Sequence, residues 1–340
     1  MKTSDFDYNL PSEFIAQTPV ETRDQSRLMV LHRFDGSIEH HYFYDIVNYL
    51  RSGDTMVLNN SRVIPARILG RKDDSDANVE ILLLRRLDND VWETLVRPGR
   101  KLASGTKVRI ANKAIDTEIN AEVLEHGEDG IRLVRFSDER LLQKFGRAPL
   151  PPYIHTPLAD AERYQTVYAE INGSVAAPTA GFHFTPKLLN DVKKQGVHIA
   201  FVTLHIGIDT FQPVRVDNPG QHKIHKEYGN VTSEVANLLN RTRKEGKKIV
   251  AVGTSTVRLL EAAALSGIVQ SFTGWVDLFI LPGHQFHVTD AMVTNFHLPR
   301  STLLMLVSAF AGRDFILEAY SQAKDHGYRF YSFGDAMLIL

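Results

Sequence analysis

Four segments bring together residue types that can do chemistry. Gly253-Thr254-Ser255-Thr256 follows the apolar run 248–252 and leads into a helical pattern carrying Arg258 and Glu261. A strand–glycine–hydroxyl–helix junction of this kind presents backbone N–H groups and hydroxyls to an anionic or polar ligand group. The same residues also read as an ordinary Ser/Thr helix N-cap, and the Lys and second Gly of a Walker loop are missing. In Ala177-Pro178-Thr179-Ala180-Gly181-Phe182-His183-Phe184-Thr185 a histidine stands among aromatic side chains just before a helix start at Thr185-Pro186. Its rings suit stacking on a base or adenine, and His183 suits proton transfer. A core histidine satisfied by backbone carbonyls is the alternative. Asn295-Phe296-His297-Leu298-Pro299-Arg300-Ser301-Thr302 again joins a strand to a helix. It brings His297 and Arg300 to the same sheet edge as Gly253 if the two strands are parallel, the edge where open α/β sheets bind ligands. His225 beside Glu227 and Tyr228 forms a base–carboxylate set sufficient for proton transfer without a metal.

Eight of the 14 histidines lie between positions 183 and 297, and His222/His225 and His284/His287 both have the H-x-x-H spacing. Neither pair sits on a clearly helical stretch that would align two ligands, so no metal is expected.

These segments need a frame. Between 54 and 137, short β-branched runs (55–58, 63–69, 79–84, 91–96, 106–110, 119–124, 131–136) alternate with turn residues, which predicts an all-β unit closing as a small barrel. Helical periodicity at 159–169, 186–195, 233–245, 257–265, 302–311 and 315–323 alternates with apolar strands at 198–204, 248–252, 276–281 and 292–296. Pieces at 11–17, 27–32 and 42–50 belong with them. The expected fold is a layered α/β domain built from both chain ends, 1–60 and 149–340, with an inserted antiparallel β-barrel at 61–148. Ala148-Pro149-Leu150-Pro151-Pro152-Tyr153 marks the return crossing.

The chain has 340 residues, 43% hydrophobic and 23% charged, values of folded globular chains. It has no cysteine, which excludes disulfides, thiol nucleophiles, Cys-type zinc sites and iron–sulfur clusters together. Residues 1–10 hold one Lys and two Asp before any apolar run, unlike a secretory signal. The apolar stretch 303–311 is about half the length of a bilayer span. The expectation is a soluble cytoplasmic protein with no membrane partner, a monomer. With 39 Lys and Arg against 40 Asp and Glu, the net charge of −1 gives no global pull towards polyanions. A nucleic-acid partner would have to be met by a local patch. The β unit offers Arg62, Arg85, Arg86, Arg97, Arg100 and Lys101, and a second cluster lies at 241–248; such runs are otherwise plain solvated faces.

Taken in order, the segments resemble the S-adenosylmethionine:tRNA ribosyltransferase-isomerase family of queuosine biosynthesis from Asp5 to the C-terminus. The resemblance is carried by Ile15-Ala16-Gln17-Thr18-Pro19, Leu58-Asn59-Asn60-Ser61-Arg62, Glu162-Arg163-Tyr164-Gln165-Thr166-Val167-Tyr168 and Pro178-Thr179-Ala180-Gly181-Phe182-His183-Phe184. It continues with Thr203-Leu204-His205-Ile206-Gly207, His225-Lys226-Glu227-Tyr228, Val252-Gly253-Thr254-Ser255-Thr256-Val257-Arg258, Asn295-Phe296-His297-Leu298-Pro299 and Tyr328-Arg329-Phe330-Tyr331-Ser332-Phe333-Gly334. Phe182 stands where the family usually has Leu, Asp209 where a Gly is usual, and Ser255-Thr256 in reversed hydroxyl order.

The resemblance implies transfer and isomerisation of the ribosyl group of S-adenosylmethionine onto the aminomethyl-deazaguanine wobble base of tRNAs with GUN anticodons. The implied products are epoxyqueuosine-tRNA, adenine and methionine, with S-adenosylmethionine consumed as substrate and no separate cofactor. The sulfonium acidifies the adjacent ribose C5′ protons and later leaves as neutral methionine, so a base, an acid for the departing adenine and an amine nucleophile are the minimum kit. The expected proton-transfer groups are His183, His205, His225 and Glu227, with Arg300 orienting the substrate. The expected S-adenosylmethionine pocket is lined by Thr179, Phe182, Gly253, Thr254, Ser255, Arg258 and His297. An S-adenosylmethionine-dependent RNA methyltransferase and a non-catalytic tRNA-binding module are the competing readings; the Gly-rich methyltransferase loop is not evident.

Overall fold

The structure is a computed structural model describing residues 1–112, 116–127, 130–207, 213–264 and 267–340. Asp209 lies outside these residues. The chain divides into two compact units, one of Met1–Arg62 with Pro151–Leu340 and one of Val63–Leu150.

In chain order the first strands are β1 (Arg27–His32), β2 (Ser37–Tyr42), β3 (Thr55–Asn59) and β4 (Ser61–Val63). The second unit holds β5 (Arg67–Lys72), β6 (Asn78–Asp88), β7 (Val91–Arg97), β8 (Lys107–Asn112), β9 (Thr117–His126) and β10 (Ile131–Phe136), followed by the short helix α1 (Leu142–Phe145). The chain then gives β11 (Ile171–Ser174), α2 (Pro186–Lys194), β12 (His198–Leu204), β13 (Glu227–Val231), α3 (Ser233–Lys244) and β14 (Ile249–Val252). It ends with α4 (Thr254–Ala263), β15 (Phe272–Val276), β16 (Ala291–Asn295), α5 (Thr302–Ala311), α6 (Arg313–Asp325) and β17 (Ala336–Ile339).

The second unit is a closed barrel in the order β10-β7-β6-β5-β8-β9, its pairings antiparallel. Alternation builds it: Val79, Ile81 and Leu83 of β6 and Ile119, Ala121 and Val123 of β9 are buried, while most of their neighbours are not. Closure removes the sheet edges that a flat sheet would leave open.

The first unit is built on a nine-stranded mixed sheet in the order β15-β13-β12-β3-β14-β16-β17-β1-β2. At its centre β12, β3, β14 and β16 run parallel. Every residue of β3, β14 and β16 is buried, the pattern of parallel strands covered on both faces. One face packs an apolar core with α3, α4, α5 and α6, the other a smaller core including Phe43, Phe184, Leu188 and Val192.

Three expectations about elements are corrected. The run 55–58 belongs to this central sheet and not to the barrel, since it lacks the alternation of a barrel strand. In 159–169 only a 3-10 turn forms at Ala161–Tyr164: Asp160 accepts from the Glu162 N–H at 2.9 Å, and β-branched Thr166 and Val167 follow. The strand expected at 276–281 is Phe272–Val276; Phe279 and Ile280 are apolar because they line a cavity, not because they pair.

Candidate active site

The parallel register places the key junctions together. Val252 pairs with Val293, so Gly253 at the end of β14 lies beside Thr294 and Asn295 at the end of β16, and the Gly253 N–H donates to the Val293 carbonyl at 2.8 Å. The β3–β12 register runs from Thr55↔His198 to Asn59↔Val202. Buried Asn59 then prolongs the ladder with its side chain, Oδ1 accepting from the Leu204 N–H at 3.0 Å and Nδ2 donating to the Leu204 carbonyl at 2.9 Å. Its Nδ2 also lies 3.3 Å from Ser255 Oγ, tying the ends of β3 and β12 to the start of α4.

At this C-terminal edge a cleft opens to solvent, with about 870 Å³ of empty space in the cleft and its open mouth together. All of its lining residues lie in the first unit. Ala176, Ala177, Ile206, Ile224, Phe279, Ile280, Leu303 and Leu306 form apolar walls, and Thr179, Thr254, Ser255, Thr294 and Asn295 supply polar groups. Gly253 is the N-cap of α4, at φ 92° and ψ 147°, and no side chain caps the helix. Its first N–H groups are therefore left without a side-chain cap, at the positive end of the helix dipole.

One buried ion pair stands in the wall. Arg258 Nη1 and Glu227 Oε2 are 2.7 Å apart, with side chains 9% and 5% exposed. Glu227 Oε1 accepts from the Gly207 N–H at 2.8 Å. Arg258 also donates from Nε to the Leu278 carbonyl at 2.9 Å and from Nη2 to the Val276 carbonyl at 3.2 Å. The guanidinium is thus committed to holding Glu227 and the 276–278 segment, and both Glu227 and Arg258 line the cavity. Glu261, one turn further along α4, is wholly buried and accepts from the N–H groups of His287, Val288 and Thr289, fixing the segment that leads into β16.

Of the residues expected at the site, Thr179, Gly253, Thr254, Ser255, Arg258, His297 and Glu227 line the cavity. Phe182 and His183 line a separate, smaller cavity of about 250 Å³. His183 is buried, with Nδ1 2.7 Å from Ser26 Oγ and Nε2 3.2 Å from Asn295 Nδ2. Burial, aided by Arg329 and Arg23, pushes its pKa down to about 3. His297 is also pushed down to about 3 by burial, between Thr294 Oγ1 and Tyr320 OH. Both are neutral hydrogen-bonding groups near pH 7, and neither is matched to general acid–base work there. His205 stands outside the lining, with Nδ1 2.7 Å from Ser61 Oγ and its pKa lowered by burial. His225 is half-buried, and its carbonyl accepts from Arg258 Nη2 at 3.4 Å. Arg300 departs furthest from its expected place: it is exposed, paired with Asp7 and not among the lining residues, and it adopts φ of 56°. Among the described residues there is no group of three or more His, Asp or Glu able to hold a metal ion.

The sequence reading missed Asn295, Tyr331 and Ser332 as lining residues. Asn295 stood in a recognised strand-to-helix segment but does not titrate. Tyr331 adopts φ 73°, unusual for a non-glycine residue, a conformation no sequence pattern signals.

The basic residues differ in commitment. Arg62 is paired with Glu162. Arg85 makes a bidentate pair with Glu93 at 2.7 and 2.5 Å, and Arg86 one with Glu139. Arg97, Arg100 and Lys101 are exposed, around the turn after β7.

A mixed α/β sheet whose parallel strand ends carry a cleft beside a helix N-terminus and a buried carboxylate has the architecture of α/β enzymes that bind ligands at strand ends. The sequence model of the family described as "Queuosine biosynthesis protein" matches residues 3–339. The chain is 56% identical, over the full length of both proteins, to the S-adenosylmethionine:tRNA ribosyltransferase-isomerase of Dehalococcoides mccartyi strain CBDB1, and 52% identical, again over both full lengths, to that of Acetivibrio thermocellus. The crystal structure of an S-adenosylmethionine tRNA ribosyltransferase from Thermotoga maritima superposes with a TM-score of 0.57 at 44% identity, covering 99% of this chain and 100% of that one. This chain belongs to the queuosine biosynthesis protein family.

Proposed function

We propose that this enzyme transfers and isomerises the ribosyl moiety of S-adenosylmethionine onto the aminomethyl-deazaguanine wobble base of tRNA, yielding epoxyqueuosine-tRNA, adenine and methionine. The observation that carries this reading is identity above 50% over the whole chain to relatives bearing that name. The lining of the cavity supports it. The open N-terminus of α4 suits the methionyl carboxylate, and the apolar walls suit a flat ring. Glu227, ion-paired with Arg258 and accepting from the Gly207 N–H, is the group we assign to accept the C5′ proton that the sulfonium acidifies. His183, His205 and His225, outside the lining, then act at most on the residues around it.

The tRNA must present its wobble base unstacked, because the aminomethyl nitrogen has to reach the ribosyl carbon. Backbone affinity is assigned to exposed cations, Arg97, Arg100 and Lys101 first, since Arg62, Arg85 and Arg86 are already engaged with carboxylates. No resident cofactor is required, and turnover is expected to survive exhaustive chelation. No helix among the described residues is long and apolar enough to cross a membrane.

Chromatography of the small-molecule products tests the reading. Free adenine and methionine in equal amounts are expected with substrate tRNA. S-adenosylhomocysteine without adenine would mean methyl transfer, and neither product would mean a binding module.

A further inference from the structure

At one end of the nine-stranded sheet, β12, β13 and β15 bury one face in the apolar core through Val202, Leu204, Val231 and Val276. Side chains alternate along a strand, so the residues between these stand on the opposite face, in two rows. In the inner row Thr203, Asn230 and Thr273 are in register, and Asn230 Nδ2 donates to Thr273 Oγ1 at 2.7 Å. In the outer row Tyr228 pairs with Trp275, and the His205 N–H donates to the Tyr228 carbonyl at 2.9 Å. The Tyr228 and Trp275 rings meet edge to face at 5.3 Å, and the His205 ring lies within 13° of parallel to Tyr228 at 6.5 Å. His205 is held in this row by Ser61 Oγ at 2.7 Å and by Gly173, where a Cβ would come within 2.6 Å of the imidazole.

Tyr228 is 38% and Trp275 44% exposed. Apolar side chains scattered singly over a surface need no reason, but contiguous rings mark a place where something binds. The row is the last one before the edge at which the cavity opens. Tyr228 follows Glu227 and His205 precedes Ile206, and both Glu227 and Ile206 line the cavity; consecutive Cα atoms are about 3.8 Å apart. A polymer with one unit in the cavity therefore has neighbouring units within reach of these rings.

We infer that Tyr228 and Trp275, with His205 completing the row, form a stacking platform for the unpaired anticodon-loop bases next to the wobble base. This rests on the reading that the wobble base of tRNA enters the cavity, and adds a seat for its neighbours. Drawing a base out of the stack leaves the adjacent bases without a stacking partner. Unpaired RNA bases are held by stacking on aromatic side chains, and rings on adjacent strands of a sheet face are one established way of presenting them.

The test is binding of an anticodon stem-loop carrying aminomethyl-deazaguanine at the wobble position, over a salt series, with S-adenosylmethionine binding measured separately. Tyr228→Ala combined with Trp275→Ala should weaken stem-loop binding by about tenfold or more. Stacking releases no counterions, so the slope of log affinity against log salt should stay unchanged, as should the affinity for S-adenosylmethionine. Tyr228→Phe with Trp275→Phe, which keeps both π-faces, should retain most of the stem-loop affinity. Abasic sites flanking the wobble base should cost the unaltered enzyme as much as the double alanine variant loses, and the two losses should not add. The chain has two tryptophans, Trp92 and Trp275, so a Trp92→Phe enzyme reports on Trp275 alone with the platform intact, even if the double alanine variant does not fold. Its fluorescence should be quenched by the intact stem-loop and far less by the abasic one. Unchanged affinity in the double alanine variant, or equal quenching by both stem-loops, would overturn the inference. A reduced salt slope would make the contact one to phosphate and overturn it, and a changed mass of the free enzyme with unchanged RNA affinity would give the face to a second copy of this chain. Platform-dependent binding without adenine release on turnover would overturn ribosyl transfer and leave the platform standing. Failure of the unaltered enzyme to bind the stem-loop would overturn both.

Discussion

Arg258 and Glu227 meet at 2.7 Å across the gap between α4 and the first residue of β13, and both are nearly sealed from water. The arginine also holds the carbonyls of Val276 and Leu278, so one side chain fixes both the carboxylate and the cavity wall. Removing one partner of a buried pair strands the other charge at about 3–5 kcal/mol. Arg258→Met should therefore lower the thermal midpoint markedly. Glu227→Gln keeps the shape but also leaves Arg258 without its carboxylate, so its thermal midpoint should fall too; below that midpoint turnover should fall by about two orders of magnitude or more. Scanning calorimetry beside single-turnover rates separates the two effects; near-normal turnover in Glu227→Gln would remove the proton-acceptor assignment.

Gly253 offers a test of the helix N-terminus. A Cβ there would meet nothing closer than Ser255 Oγ at 3.5 Å and Ala180 Cβ at 3.7 Å, so space is not the obstacle. Its φ of 92° with ψ of 147° is glycine territory, and another residue there costs about 1–3 kcal/mol. Gly253→Ala should relax the junction and weaken S-adenosylmethionine binding, with a smaller effect on tRNA affinity. Titration of each substrate separately reads this out.

The two buried histidines make acid stability predictable. His183 and His297 have folded pKa values of about 3 against about 6.5 in an unfolded chain. The unfolded state binds their protons first, so their contribution is fully present above pH 6.5 and is lost as pH falls towards 3. Between those limits each should remove about 1.4 kcal/mol per pH unit. Denaturant unfolding from pH 7 to pH 4 should show a steeper decline in the unaltered protein than in His183→Gln.

Cations already paired with carboxylates give up one partner to gain another, whereas unpaired ones do not. Charge removal at Arg97, Arg100 and Lys101 together should weaken tRNA binding and reduce the slope of log affinity against log salt by about 2–3. The same removal at Arg85 and Arg86, each bound bidentately to a glutamate, should change the slope less. Filter binding over a salt series checks both. An unchanged slope in the triple variant would move the phosphate grip to the 241–248 cluster.

The architecture was legible in the sequence because both periodicities were strong: alternation in the barrel, and helices alternating with apolar strands elsewhere. What escaped were elements without pattern. β13 reads Glu-Tyr-Gly-Asn-Val, and β17 is four buried residues at the very end. In the site, the Gly253 and Asn295 junctions could be placed at one edge because parallel strands bring their C-termini together. The roles of individual histidines could not, since burial and tautomer are tertiary properties: His183 has the composition of a catalytic base and the surroundings of a structural one. The placing of Arg300 was equally out of reach, since its pairing with Asp7, 293 residues away in the chain, is a tertiary contact.

The central claim is that the ribose carbons of S-adenosylmethionine become part of the tRNA. Incubation of substrate tRNA with S-adenosylmethionine labelled with carbon-13 in all five ribose carbons, followed by nucleoside mass spectrometry, tests it directly. The account predicts that the wobble nucleoside gains all five labelled carbons while the released adenine and methionine carry none. Label retained in a small-molecule nucleoside, with the wobble base unlabelled, would contradict it.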